Sequence, residues 1–492
     1  MSARIAWLLP VGMTAAVYWS LIRNYFFGDD FSNLWTLINN GVGRFLLAMN
    51  GGHMLVVRNF VFALSYGLFG MHAAAYFWVV LGIHLLNVYL LFVVARGLVG
   101  GWRLAAVIAA LWGMAPVNQG SLGWYSAFGH ALAGTCTLWV LSRLVRWRSS
   151  APPDAATLCR AALVVIAGAT CFGVGIGAAL VMPAVAWLLL PADQRRMQST
   201  IAFAIAAAVV VALYLGMKWL NLSLYGTASG MTAPAVAFWW RTVGLSAHLA
   251  AYGLIALVVG SFNPPGVYPG AVGAAVLVAC AGLTAIALWR QPRRTGTALF
   301  ACILLAAGTY GMIAMGRLYV AEQNGLAWTV RTPRYHYVGP AVAALALAVV
   351  IRGASSAWRI PQWVSNGVLA VWVMAALTTA RAFNPPINHF DAERRETEQT
   401  LAAIAAASRQ HPAGADVYLP NQPFRSVGIM LVNNPAAFPG QGAVFALFHP
   451  DDMIDGHRVY FVVDDPQTLK LLRDGRRASR LFRGTSETGR SQ

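Results

Sequence analysis

The chain has 492 residues, of which 58% are hydrophobic and only 11% are charged, and its mean hydropathy is +0.59. A soluble globular domain cannot bury so much apolar surface, so the composition predicts many membrane-spanning helices of roughly 17–25 residues. The formal net charge of +18 does not indicate nucleic-acid binding, because the basic residues stand in short clusters between apolar runs, as topology signals do.

The arginine clusters predict the orientation, because cytoplasmic connections carry an excess of basic residues. Five connections are predicted to be cytoplasmic, namely those holding Arg96 and Arg103; Arg143, Arg146, Arg148 and Arg160; Arg195 and Arg196; Arg290, Arg293 and Arg294; and Arg352 and Arg359. About eleven spans fit this pattern: 5–22, 75–95, 104–116, 124–142, 161–173, 176–190, 199–219, 271–289, 296–315, 338–352 and 363–380. The N-terminus is then cytoplasmic and the C-terminal region lies outside.

Two further apolar stretches, 55–70 and 236–261, do not fit as crossings. Either one would reverse the arginine pattern, and the first would also separate Asp29 and Asp30 from the arginine-rich loop 317–336. We therefore predict that both stretches form helices that lie at the outer interface or dip into it.

The predicted organisation is a transmembrane domain followed by a small outer domain. Residues 1–383 form the all-α polytopic part, with outer loops at 23–74, 220–270 and 316–337. Residues 384–482 begin with a Pro-containing linker and a charged amphipathic helix. They continue with "ADVYLPN" and "HRVYFVVDD", which favour strands, and with "PQTLKLLRDG", which favours a short helix. This pattern predicts a small α/β extracytoplasmic domain, and the tail 483–492 is predicted to be disordered.

The choice of basic residue indicates the source of the chain, and the cysteine spacing bears on disulfides and metal sites. Nearly all of the 35 basic residues are arginine, which is typical of a GC-rich bacterial genome. The cysteines have no paired spacing, so we expect neither a disulfide framework nor a metal site, and no cofactor. They lie in or beside predicted spans: Cys136, Cys159, Cys171, Cys280 and Cys302.

Acidic residues are scarce in the membrane region. Of the 17 in the chain, those before residue 384 are Asp29, Asp30, Asp154, Asp193 and Glu322. The predicted topology leaves the first two and Glu322 on the outer face, where a carboxylate near lipid usually has a functional partner. Because adjacent acids repel, the pKa of one rises, which suits a general base. The alternative is a turn in "GDDFSN", with an Asp capping the next helix.

The outer loop "GRLYVAEQNGLAWTVRTPRYHY" at 316–337 concentrates basic and aromatic side chains. It holds Arg317, Arg331 and Arg334, followed by Tyr335 and His336. Several arginines on the outer side favour an anionic ligand, and a guanidinium suits phosphate because it donates two hydrogen bonds at once. The alternative is an interfacial belt that binds lipid headgroups.

Two other outer segments add candidate residues. "NGGHMLVVRNF" contributes His53 and Arg58, for which the alternatives are an ordinary loop residue and an arginine that snorkels to the interface. The polar and aromatic loop "LWGMAPVNQGSLGWYSAFGH" at 111–130 either lines a site or is a tight connection with interfacial anchors.

These motifs, in this order, resemble the GT-C class of polytopic glycosyltransferases, which includes protein O-mannosyltransferases and the lipid A aminoarabinose transferase. In one departure, Gly120 or a neighbour stands where that class often has a glutamate. The similar elements are "DDF" at 29–31, "GGHMLVVR" at 51–58, "LFGMHAAAYFWVVLGIHLLNVYLL" at 68–91, "APVNQGSLGWYS" at 115–126 and "GR…RTPRYH" at 316–336.

The resemblance implies transfer of a sugar, with inversion, from a polyprenyl-phosphate donor to an envelope glycan, lipid or protein. This transfer would take place on the outer face of the bacterial inner membrane. Asp29 or Asp30 would be the general base, with Asp29 favoured. The donor phosphate would be bound first by Arg331 and Arg334, and the further substrate-binding residues would be Tyr335, His336, Arg317, Arg58 and His53. The alternatives are a transporter or flippase for a lipid-linked envelope precursor, and a non-catalytic scaffold.

Overall fold

A computed structural model of the chain describes residues 5–26, 29–49, 51–70, 72–149, 152–225, 236–259 and 270–355. It also describes isolated helical positions between 367 and 378 and three strands nearer the C-terminus. The helices are α1 Leu8–Tyr18, α2 Asp29–Leu47, α3 Val56–Phe69, α4 Ala73–Val99, α5 Trp102–Met114, α6 Gln119–Leu122, α7 Gly129–Trp147, α8 Ala155–Ala169, α9 Gly173–Leu189, α10 Gln194–Tyr225, α11 Val236–Val258, α12 Ala271–Arg290, α13 Pro292–Asn324, α14 Leu326–Arg331 and α15 Val338–Ser355. Short 3-10 helices occupy Trp19–Arg23, Pro116–Asn118, Tyr125–Ala127 and Pro333–Tyr335.

Six of the described helices are long and apolar enough to cross a membrane, which makes this a polytopic membrane protein: α4, α10, α11, α12, α13 and α15. Shorter apolar helices include α3, α5, α8 and α9. The predicted total of about eleven crossings and the orientation of the termini stay predictions. Most of the predicted span 363–380 lies outside the described residues.

Three of the five connections predicted to be cytoplasmic come together at helix ends. Gly97, near the end of α4, packs directly against Val145, near the end of α7. Arg195 Nη1 then donates a hydrogen bond of 2.8 Å to the carbonyl oxygen of Trp147, which joins the start of α10 to the end of α7. These contacts agree with the assignment of the α4–α5, α7–α8 and α9–α10 connections to one side.

The helix α11 is long and apolar enough to cross a membrane, although 236–261 is predicted to be interfacial. Its contacts pair it antiparallel with the C-terminal half of α13, since Arg241 Nη1 lies 2.9 Å from Glu322 Oε1 and Gly253 packs against Tyr310. The 33 residues of α13 measure about 50 Å, which exceeds the hydrocarbon thickness of about 30 Å. The helix α11 therefore accompanies the C-terminal half of α13, and its interfacial placement stays a prediction.

One of the closest contacts among the described helices joins α9 to α13. A Cβ atom on Gly177 would overlap the carbonyl oxygen of Gly308, so the two backbones approach as closely as glycine permits. Small residues at helix crossings allow this approach within a membrane. The crossing fixes α9, and with it the α8–α9 turn at Thr170–Phe172.

Replacing Gly177 with alanine is expected to lower the unfolding temperature of the purified protein. The added methyl group overlaps backbone that cannot rotate away, and overpacking costs about 1–3 kcal/mol. Gly311→Ala on α13 is the matched control, since a Cβ there meets nothing within 4 Å. Unfolding followed by tryptophan fluorescence in detergent measures both variants. Equal unfolding temperatures would contradict the close α9–α13 crossing.

Three strands are described in the C-terminal region: β1 Asp416–Pro420, β2 Val444–Ala446 and β3 Arg458–Val462. They form a sheet of order β1-β3-β2, in which β1 pairs with β3 in parallel and β2 pairs with β3 antiparallel. The strands β1 and β3 fall within "ADVYLPN" and "HRVYFVVDD". The helices predicted in 384–482 lie outside the described residues, as does the tail 483–492, so the α/β domain stays a prediction.

Candidate functional site

The acidic pair occupies the first turn of α2, where the helix macrodipole stabilises negative charge. Asp30 is completely buried. One of its carboxylate oxygens accepts hydrogen bonds from the backbone N–H of Ser126, at 2.6 Å, and from the Ser126 hydroxyl, at 2.5 Å. Asp30 therefore fastens the start of α2 to the 3-10 helix Tyr125–Ala127.

A chain of hydrogen bonds continues from Ser126 to Arg58. Asn33 Nδ2 donates to the Ser126 hydroxyl at 2.9 Å and to the backbone oxygen of Asp29 at 2.6 Å. Arg58 Nη1 in turn donates to Asn33 Oδ1 at 3.0 Å. This chain joins α2, α3 and the 3-10 helix Tyr125–Ala127, and it holds the backbone of Asp29 in place.

Asp29 is half-buried and faces positive charge. Burial raises the pKa of its carboxyl above the ordinary value, while Arg334, Arg58 and Arg317, in that order, lower it. Burial makes Asp29 a better proton acceptor than an exposed aspartate, and the arginines keep its carboxylate form accessible. As predicted, the acidic pair and the arginine-rich loop lie at the same end of the helices.

The three arginines that lower the pKa of Asp29 belong to different elements. Arg58 is buried on α3, and burial lowers its pKa to about 10, so it remains charged at neutral pH. Arg317, on α13, and Arg334 lie over the Tyr335 ring, with guanidinium carbons 5.7 Å and 5.4 Å from its centroid. Cation–π contacts of this kind hold the charged groups without neutralising them.

Tyr337 and His336 anchor the segment that carries Arg334. His336 Nε2 lies 2.7 Å from the Val330 carbonyl oxygen, which only accepts, so Nε2 holds the proton. His336 Nδ1 then accepts from the Tyr310 hydroxyl at 3.0 Å. Both nitrogens of this buried ring are therefore occupied within the protein. His336, expected to bind substrate, instead fits a role in positioning the loop.

On the other side of the segment, Tyr337 is fixed to α4 and α5. Its hydroxyl accepts from Asn87 Nδ2 at 3.0 Å and donates to His84 Nδ1 at 2.8 Å. Trp112 Nε1 donates to the Tyr337 carbonyl oxygen at 3.3 Å. Because residues 336 and 337 are held by different helices, the preceding residues have little freedom to move.

The loop 111–130 packs against the segment that carries Arg334. Ser121 donates a hydrogen bond of 3.0 Å to the carbonyl oxygen of Arg334, and the Arg334 guanidinium carbon lies 5.1 Å from the Trp124 ring centroid. A Cβ atom on Gly120 would overlap the backbone of Pro333 and Arg334. No side chain fits at position 120 while this loop stays in place.

Two histidines and one phenylalanine complete this end of the bundle. The Phe172 ring, in the α8–α9 turn, lies 4.4 Å from the His53 ring and 4.0 Å from the His130 ring, measured between centroids. Burial, and then Arg317 and Arg58, lower the pKa of His53 to about 3, so this ring is neutral at physiological pH. A Cβ on Gly173 would come within 2.6 Å of His53 Nδ1, so glycine is needed beside the ring.

Arg331 and Glu322 lie apart from this arrangement. Arg331 is exposed at the end of α14, and its charge acts on Tyr252 rather than being one of those that act on Asp29. Glu322 forms an exposed ion pair with Arg241 on α11. Within the described ranges, no group of three or more His, Cys, Asp or Glu residues could hold a metal ion.

Sequence reasoning did not identify the partners that fix the site: Asn33, Ser126, His130 and Phe172. The polar and aromatic character of the loop 111–130 was a signal for Ser126 and His130, and no pattern marked Asn33 or Phe172. That signal does not say which side chain of the loop lies near Asp29.

No protein-family model and no curated protein matches the chain. It is structurally similar to the arabinofuranosyltransferase AftD from Mycobacteria, at 15% identity and a TM-score of 0.41, over 78% of this chain and 28% of that one. It is also similar to the Archaeoglobus fulgidus oligosaccharyltransferase, at 16% identity and a TM-score of 0.39, over 77% of this chain and 53% of that one. The chain thus spans less than two thirds of the length of either protein.

Proposed function

We propose that this protein is a membrane glycosyltransferase that moves a sugar from a polyprenyl-phosphate donor to an acceptor hydroxyl at the outer face of the membrane. The observation that carries this proposal is the position of Asp29, a half-buried carboxylate of raised pKa within electrostatic reach of three arginines. A proton acceptor beside a cluster of phosphate-binding groups is what transfer from a phosphate-linked donor requires.

In the proposed reaction, the acceptor hydroxyl loses its proton to the Asp29 carboxylate as its oxygen attacks the anomeric carbon of the donor sugar. The bond from that carbon to the phosphate oxygen breaks, and its electron pair leaves with the polyprenyl phosphate. Attack from the face opposite the phosphate inverts the anomeric carbon. The negative charge that develops on the phosphate is stabilised by guanidinium groups, and no metal ion is needed for this step.

Arg334 and Arg317 are proposed to bind the phosphate, with Arg58 and His53 beside them. Support comes from the Tyr335 ring, which both guanidiniums contact. Asp30 is proposed to position the start of α2, since Ser126 occupies its carboxylate. Arg331 is proposed to contact substrate only at the rim of the site.

The proposed setting is the bacterial inner membrane, with a cytoplasmic N-terminus and an extracytoplasmic C-terminal domain. The acceptor is an envelope glycan, lipid or protein. A transporter or flippase for a lipid-linked precursor is the alternative function. A transporter would carry a labelled polyprenyl-phosphate sugar across a vesicle without cleaving it, whereas a transferase releases polyprenyl phosphate.

The test is an assay of the full-length protein in lipid nanodiscs with synthetic undecaprenyl-phosphate sugars and an extract of envelope acceptors. Mass spectrometry should detect glycosylated product and released undecaprenyl phosphate. Loss of specific lipid-linked or glycan species from the envelope after deletion of the gene would identify the acceptor. Intact donor in every reaction, together with transport of labelled donor across vesicles, would overturn the proposal in favour of a transporter.

The transfer rate is expected to fall on acidification. The active form has an ionised Asp29, and burial raises its pKa, so protonation begins at a higher pH than the value of about 3.9 for an exposed aspartate. The rate should therefore be constant above this raised pKa and decline as the pH falls through it. A profile of kcat/KM against pH measures the effect, and an unchanged rate down to pH 4 would contradict a general base of raised pKa.

A further inference from the structure

Among the buried polar atoms at this end of the bundle that have no hydrogen-bond partner among the described residues, which include Arg58 Nε, two can each donate or accept a hydrogen bond. They are Nδ1 of His130, a residue only 2% exposed, and the hydroxyl oxygen of Tyr335, a residue only 4% exposed. A buried polar group left without a partner costs about 1–3 kcal/mol. The neighbouring side chains of His336 and Tyr337, by contrast, are fully paired.

Both atoms belong to the same neighbourhood. The His130 ring packs on Phe172, and His130 lies within electrostatic reach of His53, Arg317 and Arg334. Those two arginines also cover the Tyr335 ring. The unpartnered atoms therefore lie beside the groups proposed to bind phosphate.

The chemistry of these atoms differs from that of the arginines. A guanidinium only donates hydrogen bonds, so it complements the oxygens of a phosphate, which only accept. A phenol hydroxyl and an imidazole nitrogen can each be a donor or an acceptor, depending on the rotamer or tautomer. Their natural partner is a group that also donates and accepts, namely an alcohol hydroxyl.

We infer that His130 and Tyr335 form a sugar-hydroxyl subsite, which binds hydroxyl groups of the transferred sugar next to the phosphate held by Arg317 and Arg334. This inference rests on the proposed function and adds the residues that recognise the glycosyl group. The site then has a charged part, which binds any polyprenyl phosphate, and a neutral part, which binds only a donor that carries a sugar. His130 and Tyr335 would thereby contribute to sugar specificity.

The test compares ligands that share the phosphate and differ in the sugar. Full-length protein in nanodiscs is titrated with undecaprenyl phosphate and with its glucose, mannose and aminoarabinose derivatives, and Kd is measured by native mass spectrometry. At least one sugar-bearing lipid should bind more tightly than undecaprenyl phosphate. Tyr335→Phe, which removes only the hydroxyl, and His130→Ala should each weaken that lipid roughly five- to tenfold, the value of one hydrogen bond, and leave undecaprenyl phosphate unchanged.

Controls separate this inference from the proposed function. Tyr89→Phe and His248→Ala replace exposed residues of the same types and should bind every lipid as the unaltered protein does. Arg334→Met should weaken undecaprenyl phosphate and its sugar derivatives alike. Suppose that Arg334→Met has that effect, while Tyr335→Phe either has no effect or weakens the binding of all four lipids equally. The sugar-hydroxyl subsite is then wrong and the proposed function stands. If Arg334→Met weakens no lipid, the proposed phosphate site itself is wrong. Equal binding of all four lipids by the unaltered protein would also overturn the subsite.

Discussion

Asp29→Asn is expected to lower the transfer rate by about 10³-fold, within the range of 10²–10⁴ that a positioned general base contributes. The amide keeps the shape of the carboxylate but cannot accept the acceptor's proton at neutral pH. Within the described ranges, no hydrogen bond or ion pair shorter than 4 Å holds the Asp29 carboxylate. The variant should therefore fold and insert normally, so that the loss falls on kcat and leaves donor binding nearly unchanged.

Asp30→Asn and Glu322→Gln test whether this effect belongs to Asp29 alone. Asp30 is buried and accepts two hydrogen bonds from Ser126, and such bonds to a charged group are worth about 1.5–3 kcal/mol each. Its replacement should lower both the unfolding temperature and the rate. Glu322 lies in an exposed ion pair, so Glu322→Gln should change neither. Full activity of Asp29→Asn, Asp30→Asn and the double variant would end the assignment of a general base to this pair.

The sequence carried enough information to bring the two main parts of the site together. Because carboxylates are costly near lipid and arginine bias sets orientation, counting charges by side was sufficient to place Asp29 near the arginine-rich loop. The same reasoning could not separate Arg331 from Arg334. The two residues are neighbours in one short loop, yet one is exposed at the end of α14 and the other packs on Trp124.

The roles of individual loop residues depend on contacts between elements that are distant in sequence. His336 looks like a ligand-binding residue in "RTPRYH", but Tyr310 and Val330 occupy both of its nitrogens. Position 120 accepts only glycine because the backbone of residues 333 and 334 lies against it. Pairings of this kind are set by how helices pack, and hydropathy and charge patterns contain no information about them.

Arg334→Met and Arg317→Met are expected to raise the KM for the donor roughly 10- to 100-fold, since each removes charge-assisted hydrogen bonds worth about 1.5–3 kcal/mol to the phosphate. Methionine keeps much of the apolar stem of arginine, so the folded structure should survive. Both arginines also lower the pKa of Asp29. Each variant should therefore shift the acidic limb of the kcat/KM profile to higher pH, an effect that a purely structural role would not produce.

Arg331→Met is the matched control, because it removes the same charge three residues from Arg334 in the same loop. Arg331 is exposed and is not one of the charges that act on Asp29, so its replacement should raise KM only slightly and leave the acidic limb in place. KM and the pH profile together then separate phosphate binding from general attraction of an anionic lipid, which falls as salt screens it. If Arg331→Met raises KM as much as Arg334→Met and shifts the acidic limb equally, the phosphate site lies at the rim of the loop and not beside Asp29.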